Sequence, residues 1–282
     1  MTRSVEVFFE GLDFGEGPRW HDGRLWVSDF FAHRVSSFDL TGTMTVEVAL
    51  DDQPSGLGWL PDGDLLIVAM HSRQIRRVDL EGRIHLHANL TAVAAGPCND
   101  MVVDRTGNAY VGNFGFEVGA AGARPQPADL ALVRPDGSVE VVATDLRFPN
   151  GSVITPDSST LIVGESMGQR YTAFSIEADG TLTERRLWAD LTGKGPDGCV
   201  LDADGAIWMA DAFGSGCCRV AEGGEILEVV TASQPVFACT LGGEDHRTLF
   251  LITAPAFGED CAGKGEGRIE MTQVEVPGAG WP

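Results

Sequence analysis

The stretch HDGRLWVSDF, His21 to Phe30, decides the fold: a polar Asp-Gly turn leads straight into a short apolar run. Asp-Gly between two β-rich segments is a strong hairpin signal, because both residues tolerate the backbone angles of a tight turn. Five more segments repeat the pattern: DLLIVAM from Asp64, NAYVGNF from Asn108, TLIVGES from Thr160, AIWMADA from Ala206 and TLFLITA from Thr248. Each follows its own turn, at Pro61, Asp104, Pro156, Asp202 and Gly242. Counted from Arg24, the runs start 40, 44, 52, 46 and 42 residues apart. A period of about 45 residues with four strand-like segments per unit describes the blades of a β-propeller.

The rest of the chain fits around that unit. In the first repeat, RVSSFDL from Arg34 and TMTVEVAL from Thr43 supply the third and fourth strands across a Thr41-Gly42 turn. VEVFFEG at Val5 and IEMTQVEV at Ile269 are strand-like too, and are expected to meet in one blade and close the ring. The sequence therefore predicts an all-β, six-bladed β-propeller of four-stranded blades, with residues 1–282 as a single domain. The 36 glycines in 282 residues are the expected punctuation of so many turns.

A net charge of −21, from 20 basic and 41 acidic residues, argues against nucleic acid, whose phosphates need a basic stripe. It argues equally against an anionic membrane surface, and most of the carboxylates read as solubilising. No segment approaches the roughly 18 apolar residues of a membrane helix. Glu6, Glu10 and Asp13 interrupt the N-terminal stretch where a signal peptide would be apolar. Six cysteines without CxxC spacing, two of them adjacent at Cys217 and Cys218, read as reduced thiols of a cytoplasmic protein.

If the first strand of each blade starts at the upper face, the Asp-Gly turns lie below. The six starts then carry Glu16, Ser55, Asn99, Asn150, Asp197 and Phe237 around the central channel. Four of these, Glu16, Asn99, Asn150 and Asp197, bear side-chain oxygens. Two carboxylates facing each other in a low-dielectric shaft repel, which raises a pKa unless a cation lies between them. Two amides and two carboxylates are hard ligands, suited to Ca²⁺, Mg²⁺ or Mn²⁺ better than Zn²⁺. The alternative is that these residues cap strands and turns.

His71, Asn113, Phe114, Glu165, Ser166, Asp211 and Phe213 lie at comparable second-strand ends, where they would wall a pocket, with His71, Asn113, Phe114, Glu165 and Asp211 touching substrate; the alternative is loop hydrogen bonding or packing. Gly164 to Gly168 fits G-x-S-x-G, but a strand-like QRYTAFSIE follows Ser166 where a nucleophile elbow needs a helix. His85 and His87 share one face of an outer strand without a third ligand, and read as a solvated edge. Cys98 and Cys199 flank the proposed ligands as small buried thiols. The insertion from Phe116 to Asp129 accounts for the 52-residue spacing and is read as a lid on the upper face.

EGPRW at Glu16, NDM at Asn99, FPNG at Phe148, PDG at Pro196 and FACTLGG at Phe237 follow one another in an order and spacing that span nearly the whole chain. Together with LWVSD at Leu25 and YVGNFG at Tyr110, they resemble the senescence-marker-protein/gluconolactonase (regucalcin-like) family of six-bladed propellers. The resemblance implies a divalent metal, Ca²⁺ before Mg²⁺, Mn²⁺ or Zn²⁺, held by Glu16, Asn150 and Asp197. It further implies Asn99 as a pocket residue and Asp197 as the acid/base of lactone hydrolysis. One position departs: sugar-lactone members often carry an arginine two residues before the pocket asparagine, and here Pro97 stands there.

The expected activity is a metal-dependent lactonase acting on a small lactone or ester. The ion would polarise the carbonyl, with Asp197 as general base or nucleophile. Phosphotriester cleavage or non-hydrolytic chemistry at the same metal, or a non-catalytic metal-binding propeller, are the alternatives.

Overall fold

The structure, a computed structural model, describes residues 3–120, 122–214 and 216–280. Met1, Thr2, Trp281 and Pro282, at the ends of the predicted domain, lie outside the described residues, as do Ser215 and, within the predicted insertion, Ala121. Six four-stranded antiparallel sheets form the blades of a β-propeller. Their inner strands are Gly15–His21, Pro54–Trp59, Cys98–Val103, Pro149–Ile154, Pro196–Leu201 and Val236–Gly242. Each inner strand packs against the inner strands of both neighbouring blades, so the six form a closed ring.

Local chemistry accounts for the strands. At Asp22 and Gly23 φ is 48° and 72°, the two left-handed residues that a type I′ hairpin turn requires. Other lower turns are closed by their aspartate. Asp104 Oδ1 accepts the backbone N–H of Thr106 at 2.8 Å and of Asn108 at 3.0 Å. Asp202 Oδ1 accepts those of Asp204 at 2.9 Å and Ala206 at 3.0 Å. Second strands such as Leu65–Ala69 are buried along their whole length, because neighbouring blades cover both faces. Outer strands such as Leu182–Asp190 are largely exposed.

The sixth blade joins the two ends of the chain. Glu6–Leu12 pairs with Gly267–Gln273, with Glu6 opposite Met271 and Leu12 opposite Gly267, as the strand-like ends predicted. Among the described residues the only helical element is the short 3-10 turn Glu259–Cys261. No helix among them is long and apolar enough to cross a membrane.

Every inner strand slips register at the same level: Glu16/Arg19, Pro54/Leu57, Cys98/Met101, Pro149/Ser152, Pro196/Cys199 and Val236/Ala238. A bulge of this kind re-aims one side chain while the strand continues. The slipped positions are followed by Gly17, Gly56, Asp100, Gly151, Gly198 and Ala238, and the glycines are there because backbone fills the place of a side chain. A Cβ on Gly17 would lie 2.7 Å from Ser55 O, and one on Gly151 would lie 2.8 Å from Cys199 N.

A methyl group at Gly151 has only rigid backbone to displace. Gly151→Ala is expected to cost roughly 1–3 kcal/mol and to lower the melting midpoint by about 2–4 °C for each of them. A thermal melt checks this, and an unchanged midpoint would remove the steric account of the ring.

Candidate functional site

The register slip places Glu16, Ser55, Asn99, Asn150, Asp197 and Phe237 at one level of the channel. Asn99, Asn150 and Asp197 are 6–7% exposed, and Glu16 keeps an edge open to solvent. Asn99 Nδ2 donates to Pro149 O at 3.3 Å, which ties it to the strand that carries Asn150. Asn150 Nδ2 donates to Ser166 Oγ at 3.2 Å, and Ser166 Oγ donates to Pro196 O at 2.7 Å, next to Asp197. Blades three, four and five are thus linked at the level of the oxygen-bearing residues.

Electrostatics bring the two acids together. Burial, then the charge of Asp197, push the Glu16 carboxyl well above the usual range, against the Gly17 N–H that Glu16 Oε2 accepts at 3.1 Å. Burial pushes Asp197 up to about 8, although hydrogen bonds from Asn150 and Gly198 favour its ionised form. The charge of Asp100 raises both, and Arg19 lowers Glu16 only weakly. Two neighbouring buried acids, opposed by amides and N–H groups, are short of positive charge.

That deficit is the test of whether a cation fits. Among the described residues no three His, Cys, Asp or Glu side chains cluster as a metal site. The set is instead two carboxylates, Glu16 and Asp197, with the amides of Asn150 and Asn99. It offers hard oxygens and two negative charges, which suits a divalent cation of the calcium or magnesium type.

The predicted wall residues have diverse surroundings. Asn113 Nδ2 donates to Asp129 O at 2.8 Å, and its Oδ1 accepts Gly115 N at 2.9 Å. Glu165 is fully enclosed and accepts from Arg147 N, Arg170 Nε and Thr172 Oγ1. Asp211 accepts Lys194 Nζ at 3.0 Å and Gly195 N at 3.0 Å. These three brace loops of the upper face. Phe114 stacks on Phe148 with ring centroids 4.5 Å apart, while Phe213 is 55% exposed. His71 is exposed, its Nε2 3.1 Å from Gln53 Oε1.

Ser166 is part of the Asn150 bracket, and the strand Arg170–Ile176 follows it, so no elbow forms. His85 faces Asp79 at 3.0 Å and His87 faces Arg134 O at 3.3 Å, with separate partners. All six cysteines are free and buried. Burial lifts the Cys98 thiol to about 12 and raises Cys199 further, which leaves both inert as nucleophiles at neutral pH. The insertion leaves from the strand Ala109–Asn113 and returns at Ala128–Val133, on the upper face.

Sequence reasoning missed a buried ion pair inside the shaft. Arg19 Nη2 donates to Asp100 Oδ1 at 2.9 Å and to Met101 O at 2.6 Å, joining blades one and three. The available signal was Asp100 itself, an acid in a slot that holds Gly or Ala in the other five blades. A cavity of roughly 900 Å³ opens at the lower mouth between Trp20, His21, Trp59, Leu241 and Gly278–Gly280. It contains none of the four oxygen-bearing residues. Concavity alone would select it, whereas the paired, perturbed acids lie at the upper level.

The comparisons with known proteins give the class. The profile of the SMP-30/Gluconolactonase/LRE-like region matches residues 14–255, and the chain belongs to this family. It is 27% identical to the pentonolactonase XacC of Haloferax volcanii, over 94% of this chain and 89% of that protein. It is 26% identical to the 6-deoxy-6-sulfogluconolactonase of Pseudomonas putida, over 95% and 94%. Its fold matches the crystal structure of a calcium-binding protein, regucalcin, from Agrobacterium tumefaciens. There the TM-score is 0.83, with 22% identity over 100% of this chain and 97% of that one.

An acid whose pKa is raised on folding binds more protons folded than unfolded, so it lowers stability as pH rises from the unfolded value near 4 toward the folded one. For Asp197 that window ends at about 8. In chelator, the melting midpoint of the wild type is expected to fall more between pH 6 and pH 8 than that of Asp197→Asn. Parallel melting profiles for the two proteins would contradict the raised pKa.

Proposed function

We propose that the chain works as one propeller domain that opens a lactone at the upper level of the channel, with a divalent cation, Ca²⁺ by preference. The observation that carries this reading is the pair of buried carboxylates, Glu16 and Asp197, beside two amides in a chain whose family relatives include named lactonases. Glu16, Asn150 and Asp197 would hold the cation, which when bound supplies Lewis-acid polarisation of the ester carbonyl.

The chain's own residues do the rest. With positive charge beside it, Asp197 is ionised at neutral pH and can take a proton from an attacking water. In the alternative role its carboxylate attacks the carbonyl carbon directly. Asn99, anchored through Nδ2 to Pro149 O, has its Oδ1 free to orient water or substrate. His71 and Phe114 are proposed to line the substrate's approach. Asn113, Glu165 and Asp211 contribute by fixing the loops that shape it, and direct contact with substrate remains part of the proposal. Small lactones or esters are the partners. Six unpaired thiols support a reducing, cytoplasmic setting.

Asp197→Asn is expected to lower kcat/KM on the best lactone by about 10²–10⁴-fold with the fold intact by circular dichroism. Chelator should abolish turnover, and added Ca²⁺, Mg²⁺ or Mn²⁺ should restore it. Hydrolysis that ignores chelator would remove the metal from the mechanism. Silence on every ester with metal bound would favour a binding propeller.

A further inference from the structure

Several polar side chains at the second-strand ends of the upper mouth are occupied. Asn113, Glu165, Asp211 and Ser166 are engaged by the loops they brace, and Ser28 Oγ donates to Ser55 O at 2.6 Å. His71 and Gln53 face each other. A ligand rich in hydroxyls would find few donors and acceptors here, and each unpaired hydroxyl it buried would weaken binding.

Beside them stand apolar groups, Phe237 and Phe114 buried at the level of the acids and others exposed at the rim. Phe237 fills the ring position between the blades of Asp197 and Glu16, packed on Phe14 with centroids 4.8 Å apart. On the other side, Pro97 O accepts Phe114 N at 3.0 Å, which fixes the Phe114–Phe148 stack beside Asn99. Phe213, Phe257 and Met167, 55%, 53% and 40% exposed, stand on the upper connections of blades five, six and four. Large apolar side chains exposed on one face of a protein mark a binding surface.

We propose that the site selects cyclic esters whose ring carries an alkyl chain or aryl group, and that Phe237 is the residue that selects them. This rests on the lactonase reading of the same site. The ester carbonyl lies at the level of Glu16 and Asp197, and the substituent lies along Phe237 toward the exposed rim. Polyhydroxylated lactones are disfavoured because their hydroxyls would face benzyl groups and proline rather than hydrogen-bond partners.

The test is a series of γ-lactones from the unsubstituted ring to long 4-alkyl chains, beside glucono-1,5-lactone, with metal-loaded protein. In the wild type kcat/KM is expected to rise about fourfold per added methylene until the chain passes the rim, with the sugar lactone below the unsubstituted ring. Phe237→Ser should flatten that slope, and Phe237→Leu should keep most of it, with thermal melts confirming that both fold. Preference for the sugar lactone, or a slope untouched by Phe237→Ser, overturns the proposal. If no lactone is turned over, dissociation constants of the same series on Asp197→Asn decide. A chain-length trend lost in the Phe237→Ser, Asp197→Asn double variant keeps the apolar assignment and removes the lactonase reading. A flat trend removes the apolar assignment as well.

Discussion

Six inner strands meet around an axis too narrow for six full sets of side chains, and the rest of the structure follows from that crowding. Gly17, Gly56, Gly151 and Gly198 let backbone lie against backbone from one blade to the next. The residue before each of these positions is turned by the register slip and has the channel left to it. The packing that closes the ring therefore also gathers Glu16, Asn150 and Asp197. Fold and site are two consequences of one steric constraint.

The same crowding sets the electrostatics. Water that would ordinarily screen two acids is displaced by protein, so burial raises the proton affinity of both, and the charge of Asp197 raises that of Glu16 further. Asp100 adds a third negative charge, but Arg19 answers it directly across the shaft. A buried ion pair of this kind contributes little net stability, because desolvation offsets attraction. Its effect is local: it ties blade one to blade three and leaves the charge deficit concentrated on Glu16 and Asp197. The deficit is what a divalent cation would relieve.

The fold was legible because its signals are local. Asp-Gly turns at a steady period need no long-range information, and neither do the strand-like ends that pair in the sixth blade. The ring of oxygen-bearing residues was legible by register, since equivalent positions in equivalent repeats must share a level. Bracket roles were not. Asn113, Glu165 and Asp211 have the right chemistry for a pocket wall, and only the placement of Asp129, Arg147 and Gly195 around them shows the loop bonds they make. Arg19 and Asp100 are 81 residues apart, and no periodicity announces their pairing. The acids read as solubilising also proved more structured than charge alone suggests: Asp39, Asp79 and Asp179 accept side-chain hydrogen bonds from Thr41, His85 and Thr181, then turn N–H groups, which hold their carboxyls below the usual range.

The brackets bear directly on what the upper mouth can recognise. A propeller's upper loops hang from strand ends without helices to stiffen them, so their backbone N–H groups need partners close by. Acidic and amide residues at those ends supply them, as Glu165 does for Arg147 N and Asp211 for Gly195 N. Side chains engaged in this way are less available to a ligand. Phe213, exposed on the upper connection of blade five, has no hydrogen bond to give, and Phe237 and Phe114, buried below it, have none either. The bonds that hold the upper loops in place thus use polar atoms of Glu165 and Asp211 that a hydroxylated ligand would otherwise meet.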